Sequence, residues 1–319
     1  AFVYEDSPAG SAGINRTDKI TAFNGSTASE LIDNAGLGPL LDDLALGDPL
    51  VLNITHNNDT RTEQTLRKAL VTMNTILTAE RIETEAQQSI GYIGISSFID
   101  ATSNDFSNAI NEITASPIDE LVLDLRYNGG GRLLSSRDVA SYIGGEQTED
   151  FNYSKTIHND KYSDSNLSYP FKTFSNALGL SRVYVLTSAA TCSASELLIN
   201  SLSPFIDVVK IGTTSCGKPV GMYGAEFCNN IILPLQFSIA NHYNEGDYFE
   251  GLVPDCLAED DLGANFADTN EKMLSTAIYH MNNNVCPIAT VSDSSSARRT
   301  QQSLIKKAAI DLNPLRHAY

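Results

Sequence analysis

A serine and a lysine 25 residues apart are the side chains whose types and settings could carry out covalent chemistry. Ser193 lies in the small-residue run 191–196, just before an apolar stretch, and Lys218 follows a glycine at the end of the loop 213–218. Serine is a poor nucleophile near neutral pH and needs a neighbouring base, and a desolvated lysine can be that base. The two segments therefore indicate a hydrolase in which Ser193 attacks and Lys218 removes its proton.

Both residues also have a plain structural interpretation. A lysine acts as a base only when neutral, so the pKa of Lys218 would have to fall by two or three units from about 10.4. Burial beside Cys216 and Met222 could lower it, whereas an exposed surface lysine is the common case. Ser193 and Glu196 fit a capping box, in which the two side chains only satisfy backbone amides at a helix start.

A glycine run after an apolar strand is the third candidate. Residues 124–131 end in Gly129, Gly130 and Gly131, where backbone amides can turn toward a ligand because no side chain blocks the approach. An oxyanion hole needs such amides, although an ordinary strand-to-helix turn has the same composition. No histidine lies near Ser193 or Lys218, so a Ser-His-Asp triad has no support in the sequence.

Together with the turn-rich segment 246–255, these segments resemble the C-terminal processing peptidases, also called tail-specific proteases, in order and spacing. These serine/lysine peptidases join a PDZ domain to a protease core, and the chain looks most like their secreted bacterial branch. The resemblance implies that Ser193 is the nucleophile and Lys218 the general base. It implies further that Gly130 and Ala194 supply the two oxyanion amides.

The resemblance also indicates supporting positions and two departures. The supporting residues are Gly129, Gly131, Glu196 and Ser215, the last in place of the family's threonine. Met222 stands where some members carry a glutamine that orients the lysine, and Pro204 stands where some relatives carry an acidic residue. Lys218 must therefore be held by backbone carbonyls or by another side chain.

The resemblance and the hydropathy pattern predict three regions. The string SPAGSAGINRTDKITAFNG at residues 7–25 resembles the middle of a PDZ domain, so we expect residues 1–67 to be a PDZ-like domain that is incomplete at its N-terminus. Residues 68–287 are expected to form an α/β (α+β) protease core of the crotonase-like type, and residues 288–319 a peripheral or disordered tail. The predicted strands are 19–25, 50–55, 91–98, 120–125, 182–187 and 208–212, and the predicted helices are 28–34, 39–43, 105–115, 133–143 and 193–202. The polar segment 146–178 is predicted to be a surface excursion, a lid or a substrate-facing loop.

Composition narrows the partners and the compartment. The 39 acidic and 21 basic residues give a formal charge of −18, which opposes binding to nucleic acid and to anionic membranes. The five cysteines and five histidines are scattered, so we expect no metal site and no cofactor. A disulfide between Cys228 and Cys256 is one possibility and would fit an oxidising compartment. We expect a periplasmic or secreted bacterial protein whose signal peptide is not in this chain.

The resemblance implies acyl transfer on a polypeptide substrate, near an unstructured C-terminus. Neutral Lys218 would take the Ser193 proton, the alkoxide would attack a peptide carbonyl, and water would release the acyl-enzyme. One alternative is a scaffold that binds peptide tails without cutting them, with Ser193 as a helix cap. Another is a crotonase-like enzyme acting on acyl thioesters, which would leave the pairing of Ser193 with Lys218 unexplained.

Overall fold

The computed structural model describes residues 1–33, 36–228 and 230–288. Apart from Ile288, the predicted tail 288–319 lies outside the described residues. Within the described residues, no helix is long and apolar enough to cross a bilayer.

The first 67 residues form a small antiparallel sheet with short helices beside it. The elements are α1 (Pro8–Ser11), β1 (Lys19–Phe23), β2 (Ser26–Thr27), α2 (Ala28–Asp33), α3 (Leu37–Asp42), β3 (Pro49–Thr55) and β4 (Arg61–Arg67). The strand order is β2-β1-β3-β4, and Ile14, Leu52 and Ile54 form a small core beneath it. The predicted strands and helices of this region are confirmed. Strand β4 was missed because its sequence is mostly polar and exposed.

The rest of the described chain alternates strands with helices and then adds a group of short strands. In chain order the elements are β5 (Ile76–Glu83), β6 (Ser89–Ile95), α4 (Thr102–Ile113), β7 (Glu120–Asp124), α5 (Leu133–Gly144), β8 (Asn152–Ile157), β9 (Leu167–Pro170), β10 (Arg182–Thr187), α6 (Ala194–Leu202), β11 (Asp207–Gly212), β12 (Val220–Met222), β13 (Ala225–Phe227), β14 (Asn230–Ile232), β15 (Leu235–Ala240), β16 (Cys256–Leu257) and α7 (Lys272–Asn283). Two 3-10 helical segments lie at Gly145–Gln147 and Asp160–Ser165.

A six-stranded sheet is the centre of this region, in the order β16-β11-β10-β7-β6-β5. All neighbouring pairs are parallel except β5 with β6. Helices α4, α5 and α6 pack on one face and α7 packs on the other. Because β6, β7 and β10 are buried on both faces, they are nearly continuous apolar runs, and the sequence predicts them well.

A second sheet corrects the interpretation of residues 146–178 as a surface excursion. This segment contributes β8 and β9 to a four-stranded sheet in the order β12-β15-β8-β9. Tyr153, Ser154 and Thr156 of β8 are buried, and Tyr153 and Ser136 share a 2.7 Å hydrogen bond between their hydroxyls. The prediction failed because polar side chains are buried here, so the segment has no apolar alternation.

The predicted Cys228–Cys256 disulfide is wrong. Cys256 of β16 is bonded to Cys286, which follows α7, and Cys192 is bonded to Cys216. Cys228 is an exposed free thiol in the turn after β13. After α7 the chain comes back to β16, and this brings Cys286 next to Cys256. The order of residues in the sequence does not reveal this contact.

Candidate active site

Ser193 occupies a sharp turn between β10 and α6. It is the residue before the first helical position, and its backbone has φ 56° and ψ −114°. A positive φ in a residue other than glycine costs about 1–3 kcal/mol and persists only where the surroundings enforce it. The neighbouring Cys192 N–H donates to the Asn128 carbonyl at 3.1 Å, and the Ser195 hydroxyl donates to the same carbonyl at 2.9 Å. The candidate nucleophile is thus held against the glycine loop.

The predicted glycine loop contacts Ser193 directly. Gly130 has φ 104°, and a Cβ built on it would lie 2.8 Å from the Cβ of Ser193 and 2.9 Å from the nitrogen of Ala194. Gly131 has φ 135° and packs against the carbonyl of Phe98, where a Cβ would be 2.0 Å from the oxygen. Only glycine fits at these two positions, and the structure brings Gly130, Ser193 and Ala194 together.

The two predicted oxyanion amides differ in their hydrogen bonds. In the described part of the chain the Ala194 N–H has no partner, and it lies at the positive end of the α6 dipole. The Gly130 N–H donates to Oδ1 of Asn128 at 2.9 Å, and Nδ2 of this buried asparagine has no partner in the ranges that the structure describes. Ala194 is therefore ready to bind an anion, whereas Gly130 is available only if Asn128 releases it.

Glu196 joins the serine and lysine segments. This carboxylate is fully buried, and its Oε2 accepts the N–H of Ser193 at 2.9 Å and the N–H of Lys218 at 2.8 Å. Its Oε1 accepts the N–H of Gly217 at 2.7 Å and the hydroxyl of Ser215 at 2.6 Å. Because both amides donate to the same oxygen, the backbone nitrogens of Ser193 and Lys218 lie close together in space. The predicted capping box between Ser193 and Glu196 is present, and the contacts of Glu196 extend beyond it to the lysine loop.

Ser215 connects the lysine loop to residues 251–254. Its hydroxyl accepts the N–H of Leu252 at 2.7 Å, and its own N–H donates to the Leu252 carbonyl at 3.2 Å. Gly251 has φ 84°, and a Cβ there would lie 2.3 Å from the Ser215 carbonyl oxygen. The segment 246–255, which had no clear role by itself, therefore supports the candidate base loop.

Lys218 is half-buried, and burial lowers the pKa of its amine, an effect that the Glu196 carboxylate partly opposes. Within the described residues its Nζ makes no hydrogen bond or ion pair, and none joins it to the Ser193 hydroxyl. Met222 lies in β12, and Pro204 follows α6. The backbone of Lys218, rather than its amine, is what the structure holds in place.

A disulfide between Cys192 and Cys216 spans the same two segments. With Glu196, these cysteines are the one group of three possible metal-ligating side chains found close together in the described ranges, their ligand atoms lying within 4.8 Å of one another. The two sulfurs are bonded to each other and so are not available as thiolate ligands. The disulfide therefore serves as a crosslink here.

A buried ion-pair network centres on Arg126, three residues before the glycine loop, and was not predicted. Arg126 is 1% exposed and donates to Asp124 and Glu271 at 2.8 Å each and to Asp260 at 2.8 Å. Asp260 also pairs with Arg16 of the N-terminal region. Burial disfavours charge on Arg126, but the carboxylates outweigh it and raise the pKa of the guanidinium. The sequence Asp124-Leu125-Arg126 could have indicated this network. Charged residues at the end of a buried strand need partners of opposite charge.

Known relatives resemble this chain over much of its length. It is 28% identical over 218 residues to a carboxy-terminal processing protease, CtpB, of Bacillus subtilis, covering 67% of this chain and 42% of the relative. It is 26% identical over 287 residues to a carboxy-terminal-processing protease of Bartonella bacilliformis, covering 81% and 57%. The chain thus spans about half the length of the curated relatives it matches.

Solved structures agree on the fold. A crystal structure assigned to the S41 proteases, from Bacteroides fragilis, superposes with a TM-score of 0.75 and 26% identity and covers 89% of this chain and 77% of that one. The photosystem II D1 C-terminal processing protease superposes with a TM-score of 0.51 at 18% identity, covering 82% and 67%. The mixed α/β architecture is therefore that of this group of proteases.

The model of peptidase family S41 matches residues 89–257, which is more than half of the chain. The matched range runs from β6 to β16 and contains the glycine loop, Ser193, Glu196 and Lys218. The relationship predicted from four short segments is thus confirmed. The chain belongs to peptidase family S41, the family of the carboxy-terminal processing proteases.

Proposed function

We propose that this chain is a serine endopeptidase that hydrolyses polypeptides with a Ser193–Lys218 dyad through an acyl-enzyme. The observation that carries the proposal is the buried Glu196 carboxylate, which accepts the backbone amides of Ser193 and Lys218 on one oxygen. A carboxylate buried between two loops holds them in one arrangement, because each N–H would lose a charge-assisted hydrogen bond if its loop moved.

Lys218 is suited to take the proton of Ser193. Burial favours its neutral form and so raises the fraction of amine that can act as a base near neutral pH. The Ser193 oxygen gains nucleophilicity as its proton moves to Nζ, and it attacks the peptide carbonyl carbon. The protonated lysine then gives that proton to the leaving amine.

The amide of Ala194 is suited to bind the oxyanion that forms in this step. It has no hydrogen-bond partner among the described residues, it follows the proposed nucleophile, and it lies at the start of α6. The Gly130 amide is proposed as the second donor, which requires the Asn128 side chain to release it. Each such donor is worth about 3 kcal/mol in the transition state. Water then attacks the acyl-enzyme with Lys218 again as the base.

The substrate is proposed to be an unstructured polypeptide cut near its C-terminus. The names of the curated relatives describe carboxy-terminal processing, and the acidic charge of this chain argues against nucleic acid as a partner. We assign residues 1–67 as a PDZ-like module that recognises peptide tails by strand addition, and residues 68–287 as a crotonase-like core. The two disulfides support a periplasmic or secreted location.

The test measures, by mass spectrometry, whether each of four forms of this chain cleaves an unfolded protein substrate. These are the wild type, Ser193→Ala, Lys218→Ala and, as a matched control, Lys161→Ala, which changes an exposed lysine. Cleavage by the wild type and the control alone, with all four folded, supports the dyad. Binding of a C-terminal peptide without cleavage by any of them would favour the noncatalytic scaffold.

A further inference from the structure

The Cys192–Cys216 disulfide lies beside both members of the proposed dyad. Cys192 directly precedes Ser193, and Cys216 lies two residues before Lys218. The bond brings the two Cα atoms to 5.2 Å. It is the one covalent link across the site within the described residues, since the second disulfide lies at the edge of the central sheet on β16.

The disulfide restrains the backbone next to Ser193, whose conformation is strained. Ser193 has a positive φ, a conformation that relaxes when its neighbours are free to move. Besides the disulfide, the two loops are joined by the N–H of Cys216, which donates to Thr191 at 3.0 Å, and by the bonds of Glu196. These hydrogen bonds exchange with water once the loop opens. The covalent link is therefore a restraint that adds to these hydrogen bonds and does not exchange with water.

The bond is also accessible to reagents. Cys216 is exposed and Cys192 is half-buried, and we expect a thiolate to attack at the sulfur of the more exposed residue, Cys216. We propose that the Cys192–Cys216 disulfide is a positioning pair for the dyad, so that turnover is high with the disulfide intact and falls when a dithiol reduces it. This inference rests on the proposed peptidase function.

The redox step is a two-electron thiol–disulfide exchange. A thiolate of the dithiol attacks the Cys216 sulfur, the sulfur–sulfur bond breaks, and Cys192 leaves as a thiolate that takes up a proton. The second thiol of the reagent then displaces Cys216, which also becomes a thiol. The dithiol is oxidised to a disulfide, and the protein gains two electrons and two protons.

Reduction is expected to lower kcat more than it changes KM. Without the crosslink the lysine loop opens, Nζ of Lys218 becomes hydrated, and its neutral form becomes scarcer at neutral pH. A misplacement of about 1 Å can cost on the order of 100-fold in rate. Because the neutral amine is scarcer, the activity of the reduced enzyme should rise at a higher pH than that of the oxidised enzyme.

The test compares turnover of an unstructured fluorogenic polypeptide by oxidised and dithiothreitol-reduced enzyme. All proteins carry Cys228→Ser, which prevents exchange with the exposed free thiol. The variants are Cys192→Ala/Cys216→Ala and the matched control Cys256→Ala/Cys286→Ala. We expect reduction to lower kcat of the parent and of the control at least about tenfold, with recovery on reoxidation. The first double variant should have low kcat in either state.

Circular dichroism and a thiol count accompany each measurement. Full reduction with kcat within about twofold of the oxidised value overturns the inference, as does loss of secondary structure on reduction, which would make the bond merely structural. If the Cys192→Ala/Cys216→Ala variant fails to fold, the inference is tested by the kcat of the reduced parent protein alone. Absence of Ser193-dependent turnover in the oxidised parent overturns the proposed function and this inference with it, whereas redox-insensitive turnover overturns this inference alone.

Discussion

The Glu196 carboxylate lies 2.8 Å from the backbone nitrogen of Lys218, 22 residues further along the chain. The same oxygen accepts the N–H of Ser193, so one buried carboxylate joins the segment of the proposed nucleophile to the loop of the proposed base. This relationship holds the backbone of Lys218 in place. It fixes the lysine backbone and leaves the amine unpaired in the described structure.

Glu196→Gln tests this relationship. Glutamine turns an NH₂ group toward N–H donors, so we expect kcat to fall on the order of 100-fold and the free energy of unfolding to fall by about 1–3 kcal/mol. Because the Glu196 charge opposes the lowering of the Lys218 pKa, its removal should also move the rise of activity to lower pH. A pH profile of kcat/KM that keeps its midpoint would contradict the proposed coupling.

The pH dependence of the wild type follows from the same lysine. The base must be neutral, so kcat/KM should rise with pH through the folded pKa of Lys218, which burial places below its ordinary value. Rates measured between about pH 6 and 9 on an unstructured peptide check this. A flat profile across this range would count against Lys218 as the base.

Stability should rise with pH through Lys218, as activity does, whereas removal of the lysine should affect the two in opposite ways. Its folded pKa lies below its unfolded pKa, so between the two values the unfolded chain binds more protons and stability rises with pH. Below the folded pKa the cost of the buried charge is fully present. Lys218→Met removes this cost, so denaturant unfolding near neutral pH should show a variant at least as stable as the wild type and without this rise. A clearly less stable variant would contradict the burial argument.

Gly130→Ala should abolish activity through geometry. The new Cβ would lie 2.8 Å from the Cβ of Ser193, at a φ of 104° that alanine rarely adopts. We expect kcat to fall at least about 100-fold. Gly129→Ala is the matched control, since a Cβ there has nothing within 4 Å. Equal losses in the two variants would show that the contact with Ser193 is not the cause.

Arg126→Met should destabilise the fold. It leaves Asp124 and Glu271 buried without their partner, a change that costs about 3–5 kcal/mol. Arg132→Met removes an ion pair with Asp100 in which both side chains are mostly exposed, and should cost less than about 1 kcal/mol. Thermal unfolding of both variants measures the difference, and similar midpoints would contradict a structural role for the network.

The sequence was sufficient where the signal is local. Strand β10 was predicted with both of its ends, because it is buried on both faces and lies between turn residues. Helix α7 was missed although Glu271 caps it and its buried Met273, Leu274, Ala277 and Met281 follow a helical period. That element could have been predicted from its pattern, whereas β8, which buries Ser154 and Thr156, could not.

The residues of the candidate site also fall into two groups, those predictable from a local sequence pattern and those that are not. Ser193, Lys218 and the glycine loop were found because each lies in a short segment of recognisable composition. The hydrogen bonds that Ser215, Gly217 and Lys218 donate to Glu196, and the pairing of Cys192 with Cys216, depend on which loops are neighbours in space. Such contacts follow from the packing of the six-stranded sheet, and no local pattern encodes them.

The most direct test of the dyad is the labelling of the wild type and Lys218→Met by a fluorophosphonate, followed by peptide mapping. We expect a covalent adduct on Ser193 of the wild type that forms faster as pH rises, and a labelling rate lower by on the order of 1,000-fold or more in Lys218→Met. An adduct on another residue, or equal rates in the two proteins, would contradict the assignment of Ser193 as nucleophile and Lys218 as its base.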